Sequence, residues 1–190
     1  MTVLVAAVLV LAWVQLSRTP WRALGFVQPK SWAVTAAAGV VLGVTLKLIM
    51  KAVVMPLLGT DPINHVYHYV AGNPVAFAGM ALTVIVGGFG EELVYRGFLF
   101  ERLGKLLGSG PLAKTGIVLI TSALFALAHL YDQGIPGVEQ ALFTGLVFGS
   151  IFAVTGRIWI PMIAHAVFDL TALAFIYWNV EPIVAHFIFK

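Results

Sequence analysis

The chain has 190 residues, of which 61% are hydrophobic and 10% are charged, so it lacks the polar surface of a soluble domain, in which about 25% of residues are charged. Its net charge of +3 is scattered between apolar runs, which fits membrane topology better than nucleic-acid binding, and we expect no nucleic acid partner. The sequence has no cysteine, which excludes disulfides, thiolate metal sites and cysteine nucleophiles.

Apolar runs along the sequence predict an all-α fold, a polytopic bundle of about six transmembrane helices, since a spanning helix needs roughly 20 mostly apolar residues. The first run is short and predicts a peripheral helix. A cleaved signal peptide is the alternative, but Arg18 and Arg22 follow this run instead of preceding it. The predicted helices cover residues 3–16, 32–58, 74–107, 115–130, 140–155 and 158–178.

Two pairs of residues inside the apolar runs predict where side chains extend or helices pack. Lys47 and Lys51 share one helix face, and we expect their ammonium groups to extend to the membrane interface. Gly145 and Gly149 have a spacing typical of close helix packing, although a face of small residues without such packing is an equal alternative.

Basic residues fall in alternate loops and so orient the predicted helices. If each run crosses the membrane once, these loops share one side, which the positive-inside rule makes the cytoplasm. The opposite loops, residues 60–73 and 131–139, carry acidic residues. We predict one transmembrane domain over residues 1–190, in which residues 1–30 form a peripheral first helix and a cytoplasmic loop. The basic loop residues are Arg18, Arg22, Lys30, Arg102, Lys105, Lys114 and Arg157.

Several ionisable residues lie inside or against the apolar runs, where a charge costs roughly 2.5–3.5 kcal/mol even on the lenient insertion scale. Each is a candidate functional residue, and the alternative for each is a structural hydrogen bond between helices. Carboxylates and imidazoles from three helices would form a set able to activate water, which predicts a polar catalytic cavity between the helices. The candidates are Glu91, Glu92, Arg96, His129, His165 and Asp169.

Helix geometry separates the two adjacent glutamates. Successive helical residues point about 100° apart, so Glu91 and Glu92 cannot share one role. Glu92 lies four residues before Arg96, the favourable order for an ion pair, so we expect Arg96 to neutralise and aim Glu92. Glu91 then needs a partner from another helix. Phe125 lies one turn before His129 and is a candidate wall of the site in contact with substrate.

The order of these motifs resembles a known family. Residues 91–96 read Glu-Glu-x-x-x-Arg, residues 125–129 read Phe-x-x-x-His, and residues 165–169 read His-x-x-x-Asp. This order is similar to that of the CPBP family of intramembrane proteases, which includes type 2 CAAX prenyl proteases and bacterial relatives linked to bacteriocin processing and abortive infection. The resemblance spans residues 91–169. The third motif ends in Asp169, where the prenyl-protease branch typically has Asn.

The resemblance implies an intramembrane endopeptidase that hydrolyses a peptide bond with activated water. Glu91 and His129 would activate the water, and His165 with residue 169 would stabilise the oxyanion. Because an ionised aspartate cannot donate a hydrogen bond, Asp169 would have to be protonated, orient His165 or bind a metal. A divalent metal such as zinc would draw its ligands from Glu91, His129, His165 and Asp169. A metal-free mechanism needs only Glu91 as the base, with His129 orienting the water.

The partners implied by the resemblance are the lipid bilayer and a peptide or protein in or at the membrane, with a lipidated C-terminal segment as the familiar substrate of one branch. The implied location is the cell membrane, and specifically a prokaryotic plasma membrane.

Other readings of the residues remain open. His65 and His68 lie in a loop and are expected to be surface residues. Ser122, near His129, offers a weak serine-protease alternative. Two alternatives are not proteases: an immunity or scaffold protein that uses the polar cluster structurally, and a proton or ion transporter.

Overall fold

Five helices of this protein are long and apolar enough to cross a membrane, and an apolar helix at the N-terminus is shorter. The structure is a computed structural model that describes residues 2–189, and no strand occurs in that range. Lipid favours this fold because a helix satisfies its backbone hydrogen bonds internally. The predicted all-α, polytopic architecture is confirmed. The helices are α1 (Thr2–Ser17), α2 (Trp32–Leu57), α3 (Pro74–Leu107), α4 (Pro111–Ala128), α5 (Leu130–Thr155), α6 (Trp159–Tyr177) and α7 (Glu181–Ala185).

Capping residues fix where α2 and α3 begin. The Ser31 hydroxyl accepts a hydrogen bond from the Val34 backbone N–H at 3.3 Å. The Asn73 side-chain carbonyl accepts one from the Ala76 N–H at 3.1 Å, and Pro74 occupies the first turn. These contacts satisfy N–H groups that a helix start leaves without partners. The start of α3 sets the depth of every site residue that follows on it.

Two predicted boundaries are wrong. Residues 131–139, predicted as a loop, lie within α5, which is interrupted only at Gly134 with φ 64° and ψ −159°. Glycine tolerates this backbone conformation, and Pro136 fits the first turn of the helix that resumes after it. In addition, α4 begins at Pro111, four residues before the predicted start, because proline is compatible with a first helical turn.

Short stretches of wider π-helix interrupt α2 and α3. They cover Met50–Val54 in α2 and Leu93–Phe98 in α3. Such stretches are rare and frequently occur at functional sites. One directly follows Glu92, and the other contains Lys51, so both adjoin the ionisable residues inside the bundle.

Helix α6 packs against both α2 and α3, and α4 packs against α5. Glycines allow these contacts because they have no Cβ. A Cβ on Gly43 of α2 would lie only 2.5 Å from the carbonyl oxygen of Ala164 in α6, which is too close. Gly145 and Gly149 face α4, and a Cβ on Gly145 would lie 3.1 Å from Ser122 Cβ. Of the two readings of that glycine pair, close helix packing is the one present.

Loops that the sequence places on one side of the membrane lie close together in the structure. Ala23, Lys114 and Gly156 line one cavity, so the loops that carry basic residues meet at one end. At the other end, the Thr60 hydroxyl donates to the Glu139 carboxylate at 3.3 Å. Many large apolar side chains are exposed on the outward helix faces, which suits contact with lipid.

Candidate active site

A buried hydrogen-bonded network centres on Glu92 of α3. Its Oε1 accepts hydrogen bonds from Arg96 Nη1 at 2.9 Å and from His165 Nδ1 at 2.8 Å. A carboxylate paired with arginine only accepts, so the hydrogen lies on His165 Nδ1. Arg96 also donates to the Gly145 carbonyl at 3.3 Å. The ion pair therefore fixes the orientation of an imidazole on another helix.

Aromatic rings enclose this network. The Arg96 guanidinium lies 4.7 Å from the centre of the Phe125 ring and 5.9 Å from that of Phe148. The His165 ring lies 5.7 Å and 5.5 Å from the same two rings. Both phenylalanines are fully buried. Such apolar walls strengthen the electrostatic interactions inside them because they exclude water.

Glu91 finds its partner on α6. Its Oε2 lies 3.3 Å from His165 Nε2, and Asp169 Oδ2 lies 3.6 Å from the same nitrogen. The side chains of Glu91 and Asp169 are 17% and 30% exposed, whereas that of Glu92 is completely buried. Neighbouring glutamates thus have different surroundings, and only Glu91 lies where a ligand can reach its carboxylate.

His129 ends α4 and joins the cluster through Phe125. Its Nδ1 lies 2.8 Å from the Phe125 carbonyl oxygen. A carbonyl can only accept, so Nδ1 carries the hydrogen and Nε2 presents a lone pair. The Phe125 ring contacts both imidazoles, with its centre 4.7 Å from that of His129 and 5.7 Å from that of His165. The predicted wall residue therefore lies between the two histidines.

The family model for Rce1-like, type II CAAX prenyl endopeptidases matches residues 73–171, just over half of the chain. The chain belongs to this family. The match to the family model confirms the resemblance seen in the three motifs, and residues 91–169 lie inside the matched segment. Membership makes this Rce1-like protein a membrane-embedded endopeptidase of the CAAX-protease kind. No curated protein and no solved structure matches the chain.

The residues considered as metal ligands in this Rce1-like protein do not fit a metal centre as they are arranged. Within residues 2–189, no group of three His, Asp or Glu side chains is placed to hold a metal ion. A zinc site needs about three or four donors converging at roughly 2.0–2.2 Å, which this cluster does not provide.

The remaining candidates lie outside the cluster of the Rce1-like protein. Ser122 Oγ is fully buried and has no hydrogen-bond partner among the described residues, so it lacks the adjacent base that a nucleophile needs. His65 and His68 are exposed, as expected. The Ile63 N–H and the His65 imidazole hold the pKa of Asp61 below its usual range.

A second polar network surrounds Lys47 and Lys51 of α2, and the sequence did not predict it. Lys47 is 6% exposed, and its Nζ donates to Gln140 Oε1 at 2.8 Å. Lys51 Nζ donates to Glu181 Oε1 at 2.8 Å and to the Pro62 carbonyl at 2.5 Å. Both ammonium groups are thus held by acceptors of the protein, which the sequence did not predict. The shared face of the lysines was visible in the sequence, but their acceptors are 93 and 130 residues away.

Proposed function

We propose that this protein hydrolyses a peptide bond of a membrane-associated substrate with water activated by Glu91 and His129. The observation that carries the proposal is the partly exposed Glu91 carboxylate, 3.3 Å from His165 Nε2. A base and a hydrogen-bond donor thus stand side by side. The buried Glu92–Arg96 pair behind them supports the required orientation of His165.

Water would bind between Glu91 and His129. Glu91 accepts one proton of this water, and the lone pair of His129 Nε2 accepts the other hydrogen in a hydrogen bond. The water oxygen, as it loses its proton to Glu91, attacks the carbonyl carbon of the peptide bond. The Nδ1 hydrogen bond of His129 to the Phe125 carbonyl supports this role, because it fixes the required tautomer.

His165 would stabilise the oxyanion. Its Nε2 faces the Glu91 and Asp169 carboxylates, which would repel a lone pair, so we assign a proton to this nitrogen. The distances of 3.3 Å and 3.6 Å exceed the usual length of about 2.7–3.2 Å, so neither carboxylate occupies the donor fully. Asp169 then acts as an acceptor that orients His165, which accounts for an aspartate at a position where asparagine would be a donor.

Collapse of the tetrahedral intermediate completes the reaction. Glu91, now a carboxylic acid, returns its proton to the nitrogen of the leaving group. The C–N bond breaks, the products are a carboxylic acid and an amine, and Glu91 is again a carboxylate. Each atom and proton is supplied by the substrate, the water and Glu91, so the mechanism needs no metal.

Chelation of divalent metals is expected to leave hydrolysis by the purified protein unchanged, because no step uses a metal. The measurement is the cleavage rate before and after dialysis against EDTA, with a zinc protease in the same buffer as the control. A loss of activity that zinc restores would contradict the metal-free mechanism, and elemental analysis would then give the zinc stoichiometry.

The proposed substrate is a peptide or protein at the membrane surface or within it. The description of the family, a CAAX prenyl endopeptidase, supports a prenylated C-terminal segment as the first substrate to test. We also propose that the protein resides in a prokaryotic plasma membrane. The apolar helices establish only that it is a multi-pass membrane protein.

Substitution His129→Ala is expected to lower the rate of peptide cleavage at least about 100-fold, because the water loses its second partner. The measurement uses purified protein in liposomes and a quenched fluorescent peptide. His186→Ala is the matched control: His186 Nδ1 makes the same contact to a carbonyl four residues earlier, at 2.8 Å to Pro182, but the residue is exposed and outside the cluster. Its activity should equal that of the wild type.

Two other functions make different predictions for the same proteins. If the polar cluster serves only a scaffold or immunity protein, His129→Ala changes the melting temperature and the wild type cleaves nothing. If the protein transports protons or ions, the wild type produces a flux across liposome membranes that His129→Ala removes. Cleavage that persists in His129→Ala would contradict the assigned role of this residue.

A further inference from the structure

A cavity of about 200 Å³ lies next to the cluster formed by Glu91, His129, His165 and Asp169. Ala172 and Gln133 line it, three residues after Asp169 and four residues after His129, respectively. Residues at these spacings share a helix face, so the cavity begins about one helical turn, or roughly 5.4 Å, from the cluster. Its lysines, on α2, lie outside the segment that the family model matches.

Lys47 differs from the other charged residues that line this cavity. Lys51 is neutralised by Glu181 at 2.8 Å. Lys47, which is more than nine-tenths buried, has only an uncharged amide oxygen, that of Gln140, as its hydrogen-bond acceptor, and no carboxylate of residues 2–189 lies within 4.0 Å of its Nζ. Asp61, a further carboxylate of the wall, bonds the Ile63 N–H and the His65 ring at the exposed rim.

A buried cation that no carboxylate contacts is costly, so Lys47 favours the entry of an anion. The Lys47 ammonium also lies 4.7 Å from the centre of the Phe168 ring, next to Asp169 on α6. Since Phe168 precedes Asp169 directly, this cation is fixed close to the catalytic cluster. The wall also contains apolar side chains, among them Met55 and Ile176, which can accommodate aliphatic groups.

We infer that Lys47 binds the C-terminal carboxylate of the peptide substrate and so restricts cleavage to bonds near the end of a chain. The inference rests on the proposed peptidase function. An extended peptide advances about 3.3–3.6 Å per residue, so two or three residues connect a bond at the cluster to a terminus in the cavity. A carboxylate matches the ammonium because their charge-assisted hydrogen bond is stronger than a neutral one.

The test compares a prenylated Cys-aliphatic-aliphatic-X peptide that ends in a free carboxylate with the same peptide ending in an amide. We expect wild-type kcat/KM to be about ten- to a hundred-fold higher for the free carboxylate, the range given by one hydrogen bond between charged groups. Lys47→Met should bring the ratio to about one, because methionine fills the space without charge, while Lys47→Arg should retain a preference. Lys114→Met, at the opposite end of the bundle, is the control and should keep the wild-type ratio.

The outcomes separate the two proposals. Equal wild-type hydrolysis of both peptides would overturn the Lys47 inference and leave the peptidase function intact, and so would a preference that survives Lys47→Met. Hydrolysis of neither peptide would count against the peptidase function.

Binding of the labelled peptides to the protein in phosphatidylcholine nanodiscs then decides the inference about Lys47. Tighter binding of the acid than of the amide that disappears in Lys47→Met supports it, and equal binding overturns it. Loss of the preference when phosphatidylglycerol is added would assign Lys47 to a lipid phosphate and overturn the inference as well.

Discussion

Substitution Glu91→Gln is expected to lower the rate of peptide hydrolysis by about 10²–10⁴-fold while the protein keeps its fold. Glutamine has nearly the same shape as glutamate but cannot accept the proton of the attacking water. The side chain is partly exposed, and its ionic contact to His165 Nε2 is long at 3.3 Å. Little stability therefore depends on the Glu91 charge, and the loss should be confined to chemistry.

The measurement pairs the cleavage rate in liposomes with the melting temperature in detergent. Glu101→Gln is the control on the same helix, because Glu101 pairs with Arg102 and with Lys105 at 2.6 Å and lies outside the cluster. Its cleavage rate should match that of the wild type. A Glu91→Gln protein that still hydrolyses peptide at a wild-type rate would remove Glu91 as the base.

Substitution Arg96→Met is expected to lower the free energy of unfolding by about 3–5 kcal/mol, because it removes the arginine partner of the buried Glu92 carboxylate. Both side chains are almost completely inaccessible to solvent, at 1% and 0% exposure. The hydrogen bond to the Gly145 carbonyl on α5 is lost as well. Cleavage should also fall, since Glu92 would no longer hold His165 firmly.

Unfolding of the purified protein, followed by tryptophan fluorescence, measures this effect. Arg102→Met, also on α3, is the matched control. Arg102 is 35% exposed, pairs with Glu101 and lies 4.3 Å from the Trp13 ring, so its loss should cost only about 1 kcal/mol. The double substitution of Glu92→Gln with Arg96→Met should recover part of the lost stability. Equal stability of the two arginine variants would contradict the structural role of Arg96.

The helices could be predicted from the sequence because hydropathy is a local property. The pairing of Glu92 with Arg96 was also accessible, since residues four apart on a helix are neighbours wherever the helix lies. The angle of about 100° between successive helical residues separated the roles of Glu91 and Glu92. The sequence could not identify the partner of Glu91, because the contact with His165 depends on how α3 and α6 pack.

Long-range packing also explains what was missed. Lys47 and Lys51 were predicted at the membrane interface because long cationic side chains commonly extend there. Their acceptors, Gln140 and Glu181, lie on α5 and α7, and no local pattern connects them with α2. The helical start of α5 was missed for a different reason, since Gly134 and Pro136 are typical of turns and here only bend the helix.

The Glu92 carboxylate is shared between an arginine of its own helix and a histidine of α6, which has consequences during membrane insertion. A newly made chain whose last long segment has not yet docked contains the Glu92–Arg96 pair but no imidazole beside Glu91. Under the proposed mechanism, such a chain would lack the oxyanion donor His165. If His165 has this role, we expect unfinished copies of the protein to be unable to cut neighbouring proteins until assembly is complete.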